Sequence, residues 1–276
     1  MLKEIINENC DLALALDNYF AQISPSEIMR ILKDKDVKIN GVKTGNKRAE
    51  IKVGDEITVY EKPNKFRSIY SVVYEDDDVL VADKESGVNS EGLFHFLQKK
   101  GDYRFVHRLD RNTCGLILFA KTDKSEKNAK KAIKEHRIKK VYQAVVCGTE
   151  LKPFSKEIAY LKKDAKQSQV TIFNKHVLGS VEIETDYTLK RVSKGLSLVE
   201  VELITGKTHQ IRAHLAYLKH PILGDTKYGS KEINEKYKLK RQLLVSKRLT
   251  LYGINEETNG VTFESLRDFS NYLDEE

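Results

Sequence analysis

Apolar positions in the first sixty residues recur at helical spacing and then at strand spacing. Leu12, Leu16, Tyr19 and Ile23 fall three or four residues apart, which places them on one side of a helix. Ser24-Pro25-Ser26-Glu27 follows and resembles a capping box with proline in the first turn. A second helix is expected there, with Ile28, Ile31 and Leu32 inward. Val37-Lys38-Ile39 then meets Asn40-Gly41, the strongest short hairpin signal, because both turn residues tolerate positive φ. Val53-Gly54-Asp55-Glu56-Ile57-Thr58-Val59 supplies another turn and a strand.

Past residue 60 the pattern changes. Glu61-Lys62-Pro63-Asn64-Lys65 is polar, holds one of only four prolines and reads as a linker, so the expected domains are 1–62 and 63–276. Tyr70 to Tyr74 and Val79-Leu80-Val81-Ala82 flank an acidic turn, a hairpin pattern. The turn lacks the glycine and terminal glutamate of a calcium loop and is expected to be solvated. Leu116-Ile117-Leu118-Phe119 is a short apolar run after Gly115, the mark of a buried strand. Asp123 and Glu126 suit the start of a helix reaching about His136. Its lysines, Lys124, Lys127, Lys130, Lys131 and Lys134, read as a solubilising face. Lys139 to Ala144 begins the next strand. Residues 151–200 are β-rich, with strands near 170–173, 181–192 and 196–205. Thr208 can cap a helix whose buried stripe is Ile211, Leu215 and Leu218. Gln242 to Leu249 closes the chain with a last strand.

Charge and cysteine usage narrow the function classes. Forty-eight basic against forty-one acidic residues leave a formal charge of +7, which suits a polyanionic partner. Arg30, Lys33, Lys35, Lys38, Lys43, Lys47 and Arg48 crowd into the first domain, where an RNA-facing patch is expected on the second helix and the hairpin. Three scattered cysteines with no CxxC argue against a disulfide framework and a cysteine zinc site, and suit a reducing cytoplasm. No segment approaches the length of a membrane span, and Met1 to Asp11 carries charges where a signal peptide needs an apolar core.

The candidate chemistry centres on His107-Arg108-Leu109-Asp110-Arg111-Asn112-Thr113-Cys114-Gly115-Leu116-Ile117-Leu118-Phe119-Ala120-Lys121. A carboxylate between two guanidiniums favours its charged form, and the strand that follows limits its motion. Taken alone, this reads as a surface salt-bridge cluster more readily than as a catalytic group. A second motif is Gly206-Lys207-Thr208-His209-Gln210-Ile211-Arg212-Ala213-His214-Leu215. Arg212 lies off the buried stripe of its helix, so its guanidinium is free to reach a neighbour. His209 and His214, five apart, point to different sides of a helix and do not suggest a metal site.

Together these motifs resemble the RluA-type pseudouridine synthases, and the likeness covers nearly the whole chain. The resemblance implies an α+β catalytic domain on a mostly antiparallel mixed sheet. The first domain resembles the alpha-L RNA-binding domain first seen in a ribosomal small-subunit protein. By the resemblance, Asp110 is the catalytic carboxylate, as nucleophile or base. Arg212 pairs with it, Tyr142 of Lys140-Val141-Tyr142-Gln143-Ala144 lines the site, and Leu244 packs against it. Arg108 enters the stack vacated by an extruded uridine. Lys207 is assigned to phosphate contacts, and Arg30, Lys33, Lys38 and Lys43 to RNA. Two departures stand out: Glu85 where the family commonly has proline, and Val245-Ser246 where His-Ala is usual. The implied reaction is isomerisation of uridine with no metal or cofactor. The expected partner is ribosomal RNA rather than tRNA, and the expected state a cytoplasmic monomer. A decayed RNA-binding homologue and a two-carboxylate hydrolase are the alternatives. The first sits poorly with the intact Asp110, Tyr142 and Arg212 set. The second lacks a partner acid in any of the motifs.

Overall fold

The computed structural model describes residues 1–60, 67–164 and 169–274. The expected linker, Glu61 to Lys65, lies outside the described residues. The chain divides into two compact units, 1–71 with 88–103 and 72–87 with 104–276.

In the first unit the apolar pattern folds much as its spacing implies. Helix α1 (Leu12–Tyr19) is capped by the Asp11 carboxylate, and α2 (Pro25–Asp34) by the Ser24 hydroxyl, which accepts the Glu27 N–H, with proline at the helix start. Ile31 and Leu32 are buried, and Ile28 packs against the same core. Strands β3 (Val37–Ile39) and β4 (Val42–Thr44) are joined by Asn40 and Gly41, both at positive φ. Strand β6 (Glu56–Val59) pairs with β3 on one side. On its other side it pairs with β1 (Leu2–Ile5), an amino-terminal strand the polar-looking sequence conceals. A two-residue ladder joins β2 (Cys10–Asp11) to β5 (Glu50–Ile51). Helix α3 (Ser90–Gln98), from a segment the sequence assigns to the second domain, packs here, with His95 stacked 4.5 Å from the Tyr19 ring.

The second unit is built on a long sheet. Its strands are β7 (Tyr70–Glu75), β8 (Val79–Lys84), β10 (Cys114–Ala120), β11 (Lys139–Cys147), β12 (Phe154–Asp164), β13 (Gln169–Phe173), β14 (Val181–Ser193), β15 (Leu196–Leu203) and β16 (Leu244–Thr250). The spatial order is β13-β12-β14-β15-β11-β16-β10-β8-β7, with short β9 (Arg104–Phe105) on β10 and β17 (Thr262–Glu264) on β16. The ladders from β13 across to β16 are antiparallel, as is that of β10 with β8. Where β10 meets β16 the neighbours run parallel, so the sheet is mixed and mostly antiparallel as expected. That junction demands Gly115. At φ +100° a side chain is strained, and a Cβ would sit 2.4 Å from the Ser246 carbonyl oxygen.

Helix α4 (Asp123–Lys134) buries Ala129 and Ala132 against Val79, Val81, Leu116, Leu118 and Leu249. Its cap is Thr122 paired reciprocally with Ser125, rather than Asp123 or Glu126. Helix α5 (Gln210–Tyr217) places Ala213 against a cluster from β12, β13 and β14. It begins after His209, which adopts the left-handed conformation, so Thr208 is not its cap. A short α6 (Lys231–Lys236) follows. No helix among the described residues is long and apolar enough to cross a membrane.

Candidate active site

Asp110 sits in the turn between β9 and β10, where its carbonyl accepts the Thr113 N–H at 3.0 Å. The turn is fastened from beneath by residues 84–87. The Gly87 N–H donates to the Arg111 carbonyl at 2.8 Å, the Lys84 ammonium to the same oxygen at 3.2 Å, and the Ser86 hydroxyl to the Asn112 carbonyl at 3.0 Å. Lys84 is fully buried. Such a cation is tolerable only because carbonyl oxygens surround its head. Glu85, the residue where proline was expected, pairs with Arg267, which also holds Asp83. On the far side the Gln242 amide donates to the Thr113 hydroxyl at 3.1 Å. His107 accepts the Leu118 N–H through Nε2 at 3.1 Å, and burial, then the nearby Lys140 charge, push its pKa down to about 3. It is a neutral strut of the turn, not an acid or base.

The second motif delivers Arg212. Helix α5 is anchored by Gln210, whose amide donates to the Glu184 carbonyl at 2.9 Å and the Thr185 hydroxyl at 3.0 Å. His214 meets the same hydroxyl at 3.0 Å, and burial holds its pKa at about 4. Arg212 is only 7% exposed, and its guanidinium reaches two neighbours. Its fork is divided between two carboxylates. Nε and Nη2 donate to Asp225 at 2.7 and 3.0 Å, and Nη1 donates to Asp110 Oδ2 at 2.9 Å. Burial alone disfavours the charged guanidinium. The Asp225 bonds, then those to Asp110, outweigh it and raise the pKa further. Burial likewise pushes the Asp225 carboxyl up, but Arg212 and the Lys227 and Tyr228 N–H groups reverse this and hold it below the ordinary carboxylate range.

The remaining expected residues gather around the same cleft, about 510 Å³ in volume. That lies within the roughly 300–1,000 Å³ of ligand-binding sites. Tyr142 and Leu244 are buried in its wall on adjacent strands β11 and β16. Burial, then the Asp110 charge, raise the Tyr142 pKa, so the phenol stays protonated. Ser246, one of the two departures from the family pattern, is its cross-strand partner. Arg108 and Lys207 are exposed along the lining. The partner that holds Asp110 is thus Arg212, a hundred residues away, and not the flanking arginines alone. Asp110 Oδ1 accepts no hydrogen bond among the described residues, so one carboxylate oxygen is left for a ligand.

Against this geometry, the family model for RNA pseudouridylate synthase matches residues 57–217. The chain belongs to that family. It is therefore an RNA pseudouridine synthase, an isomerase that binds RNA as substrate. The chain is 30% identical over 266 residues to ribosomal large subunit pseudouridine synthase C of Rickettsia felis, covering 83% of this chain and 86% of that protein. It is 27% identical over 264 residues to ribosomal large subunit pseudouridine synthase D of Pasteurella multocida, covering 87% and 80%. The fold is shared with human RNA pseudouridylate synthase domain containing 1, at a TM-score of 0.63 and 24% identity over 75% of this chain and 88% of that one.

Two contacts of the site were not expected from the sequence, Asp225 on Arg212 and His209 beside Asp110. Asp225 belonged to a loop read only as a turn, yet it takes two of Arg212's three donors used here. His209 stands with Nε2 4.0 Å from Asp110 Oδ2, and its Nδ1 meets the Tyr228 hydroxyl at 2.9 Å. That hydroxyl also accepts the Val170 N–H at 2.9 Å, which ties the Tyr228 ring to β13 beside His209. Of the expected RNA-binding residues in the first unit, Lys33 and Lys43 are exposed, and Lys38 lies 5.4 Å from the Tyr60 ring centre. Arg30 is occupied by Glu27, Asp34, Asp36 and the Tyr60 carbonyl.

Proposed function

We propose that this enzyme isomerises uridines of ribosomal RNA in the cytoplasm, with Asp110 as its catalytic carboxylate. The observation that carries the reading is the division of Arg212. Two of its donors are fixed on buried Asp225, and the third holds one oxygen of Asp110, a residue that lines the cleft. A guanidinium tied down in this way cannot follow Asp110 or swing into solvent, so the carboxylate is preorganised. The reaction breaks the bond from N1 of uracil to the sugar carbon C1′, turns the base, and forms a bond from C5 to C1′. The C5 proton is lost and N1 gains one, so atoms and electrons balance with no cofactor. Asp110 acts at the sugar carbon or as a base toward the sugar.

A base inside a helical stack is out of reach, so the nucleotide is extruded at a cost of a few kcal/mol. Arg108, exposed at the cleft, fills the vacated stack. Its planar cation suits both stacking and phosphate contact. Tyr142 and Leu244 form the wall against which the base turns, and Lys207 meets phosphate at the rim. Ribosomal RNA is favoured because the relatives from Rickettsia felis and Pasteurella multocida carry ribosomal large subunit names. Residues 1–62 serve as the alpha-L RNA-binding domain and 63–276 as the catalytic domain, in a monomer.

Asp110→Asn tests the assignment. It keeps the volume and removes the charge and nucleophilicity. Purified variant incubated with ribosomal RNA should give no detectable pseudouridine, while RNA binding is largely kept. Substantial residual turnover would remove Asp110 from the catalytic role.

A further inference from the structure

Cations dominate the lining of the Asp110 cleft. Arg108, Lys134, Lys140, Lys207 and Arg212 face it, against Asp110 as its one carboxylate. Four of these need no special account. Arg212 is spent on Asp225 and Asp110, and Arg108, Lys134 and Lys207 are exposed to water. Lys140 is different. It is half-buried on β11, two residues before Tyr142, so the strand's period of two directs both side chains to the same face. The sheet is shifted in register at this point, but the extra residue, Lys247, is on β16 and leaves the β11 alternation intact.

The Lys140 ammonium makes no hydrogen bond and no ion pair among the described residues. Lys84 and Lys247, the lysines drawn deepest into this unit, have oxygen partners. Lys84 donates to the Glu85 and Arg111 carbonyls, and Lys247 to the Ser265 and Arg267 carbonyls. The titratable neighbour of Lys140 is His107, which is neutral and gives it no counter-charge. Burial accordingly lowers the Lys140 pKa to about 8, leaving the ammonium mainly charged at pH 7. A cation withdrawn from water with no protein anion is costly unless a ligand supplies the missing charge.

We propose that Lys140 forms an anion subsite at the β11 end of the cleft, which takes a backbone phosphate next to the extruded nucleotide. The inference rests on the reading of the cleft as the place where the nucleotide reacts. An extruded nucleotide draws its flanking phosphates toward the opening. An ammonium on the wall that carries Tyr142 can meet one of them while the base lies against that ring. Lys140 is thus a substrate-positioning residue, distinct from the group that performs the chemistry.

The test is a salt titration of RNA binding at pH 7 with the full-length protein, comparing the parent with Lys140→Met, Lys140→Arg and Asp110→Asn. Loss of one phosphate contact makes the slope of log K against log salt shallower by about 0.7–0.9. Lys140→Met should show that loss, while Lys140→Arg and Asp110→Asn keep the parent slope. A Lys140→Met slope equal to the parent's would overturn the subsite. An active Asp110→Asn protein would instead overturn the reading of Asp110 and leave the slope result standing. A second measurement avoids any dependence on how the variants fold. In the parent protein, substrate RNA should slow acylation of Lys140 by an amine-reactive anhydride at least tenfold, read by mass spectrometry. Equal rates with and without RNA would exclude the subsite.

Discussion

Arg30 in the first unit and Arg212 in the second each gather more than one carboxylate, yet they do different work. Arg30 meets Glu27, Asp34 and Asp36, all within six residues of it in sequence, and its side chain is 21% exposed. The cluster closes the turn after α2 and ties it to the Tyr60 carbonyl, and none of its carboxylates lines the cleft. Arg212 meets Asp225 and Asp110, 13 and 102 residues away, and its side chain is 9% exposed. Asp225 is its buried anchor, and Asp110 is held at the edge of a cleft. An ion-pair cluster becomes a candidate site when one member is tied on the inside and another lines a cavity. The number of charges does not distinguish the two.

The largest expected effect breaks this comparison directly. Arg212→Ala leaves Asp225, whose side chain is only 1% exposed, as a buried charge without its main partner. Removing one member of such a pair costs about 3–5 kcal/mol. Denaturant unfolding should show a loss of that size together with loss of pseudouridine formation. A variant as stable and active as the parent would make Arg212 no different from a surface arginine.

Legibility in the sequence follows the same divide. The run from Leu116 to Phe119, the Asn40-Gly41 hairpin and the first two helices were readable, because each is specified by neighbours in the chain. Asp110 and Arg212 were readable through their motifs. Asp225 was not: an acid after Leu223-Gly224 carries no local sign that an arginine thirteen residues earlier will fold back onto it. Lys84 was hidden for the same reason, since carbonyls from residues 85 and 111 stabilise it and carbonyls leave no trace in a sequence. Strand β1 was missed because its burial alternates between half-buried and exposed, without a fully buried position. Helix α3 went unassigned even though Leu93 and Leu97 lie four apart on its buried side.

A second, smaller effect separates the two units by pH. His107 and His214 are neutral when folded, with pKa values of about 3 and about 4, and take up protons near 6.5 when unfolded. Their contribution to stability is therefore complete above pH 6.5 and is lost as the pH falls toward 4 and 3. For fully buried His214 the loss at pH 5 is about 2 kcal/mol. The first unit has one histidine shifted in this direction, His95. Hydrogen exchange at pH 7.5 and pH 5 should show β10 and α5 losing protection more than α1 and α2. Histidine Cε1–H resonances of His107 and His214 that titrate near 6.5 in the folded protein would contradict the assignment.

The smallest effect sharpens the comparison within the first unit, between Arg30 and the lysines beside it. Arg30 has every donor direction engaged by carboxylates or the Tyr60 carbonyl, so little of its charge is available to a phosphate. The side chains of Lys33 and Lys43 are exposed and make no hydrogen bond or ion pair among the described residues. Arg30→Ala should therefore act on stability, by about 1 kcal/mol or less as for other solvent-accessible ion pairs. The salt dependence of RNA binding should stay unchanged. Lys33→Gln should do the reverse: stability within about 0.5 kcal/mol of the parent, and a slope of log K against log salt shallower by about 0.7–0.9. Lys43→Gln should match Lys33→Gln. If Arg30→Ala alone flattens the salt dependence, the ion-pair cluster opens to take RNA and the distinction drawn from Arg212 does not hold in this unit. If neither lysine changes the slope, the basic face of residues 1–62 is only solvated, and RNA is gripped by the catalytic residues alone.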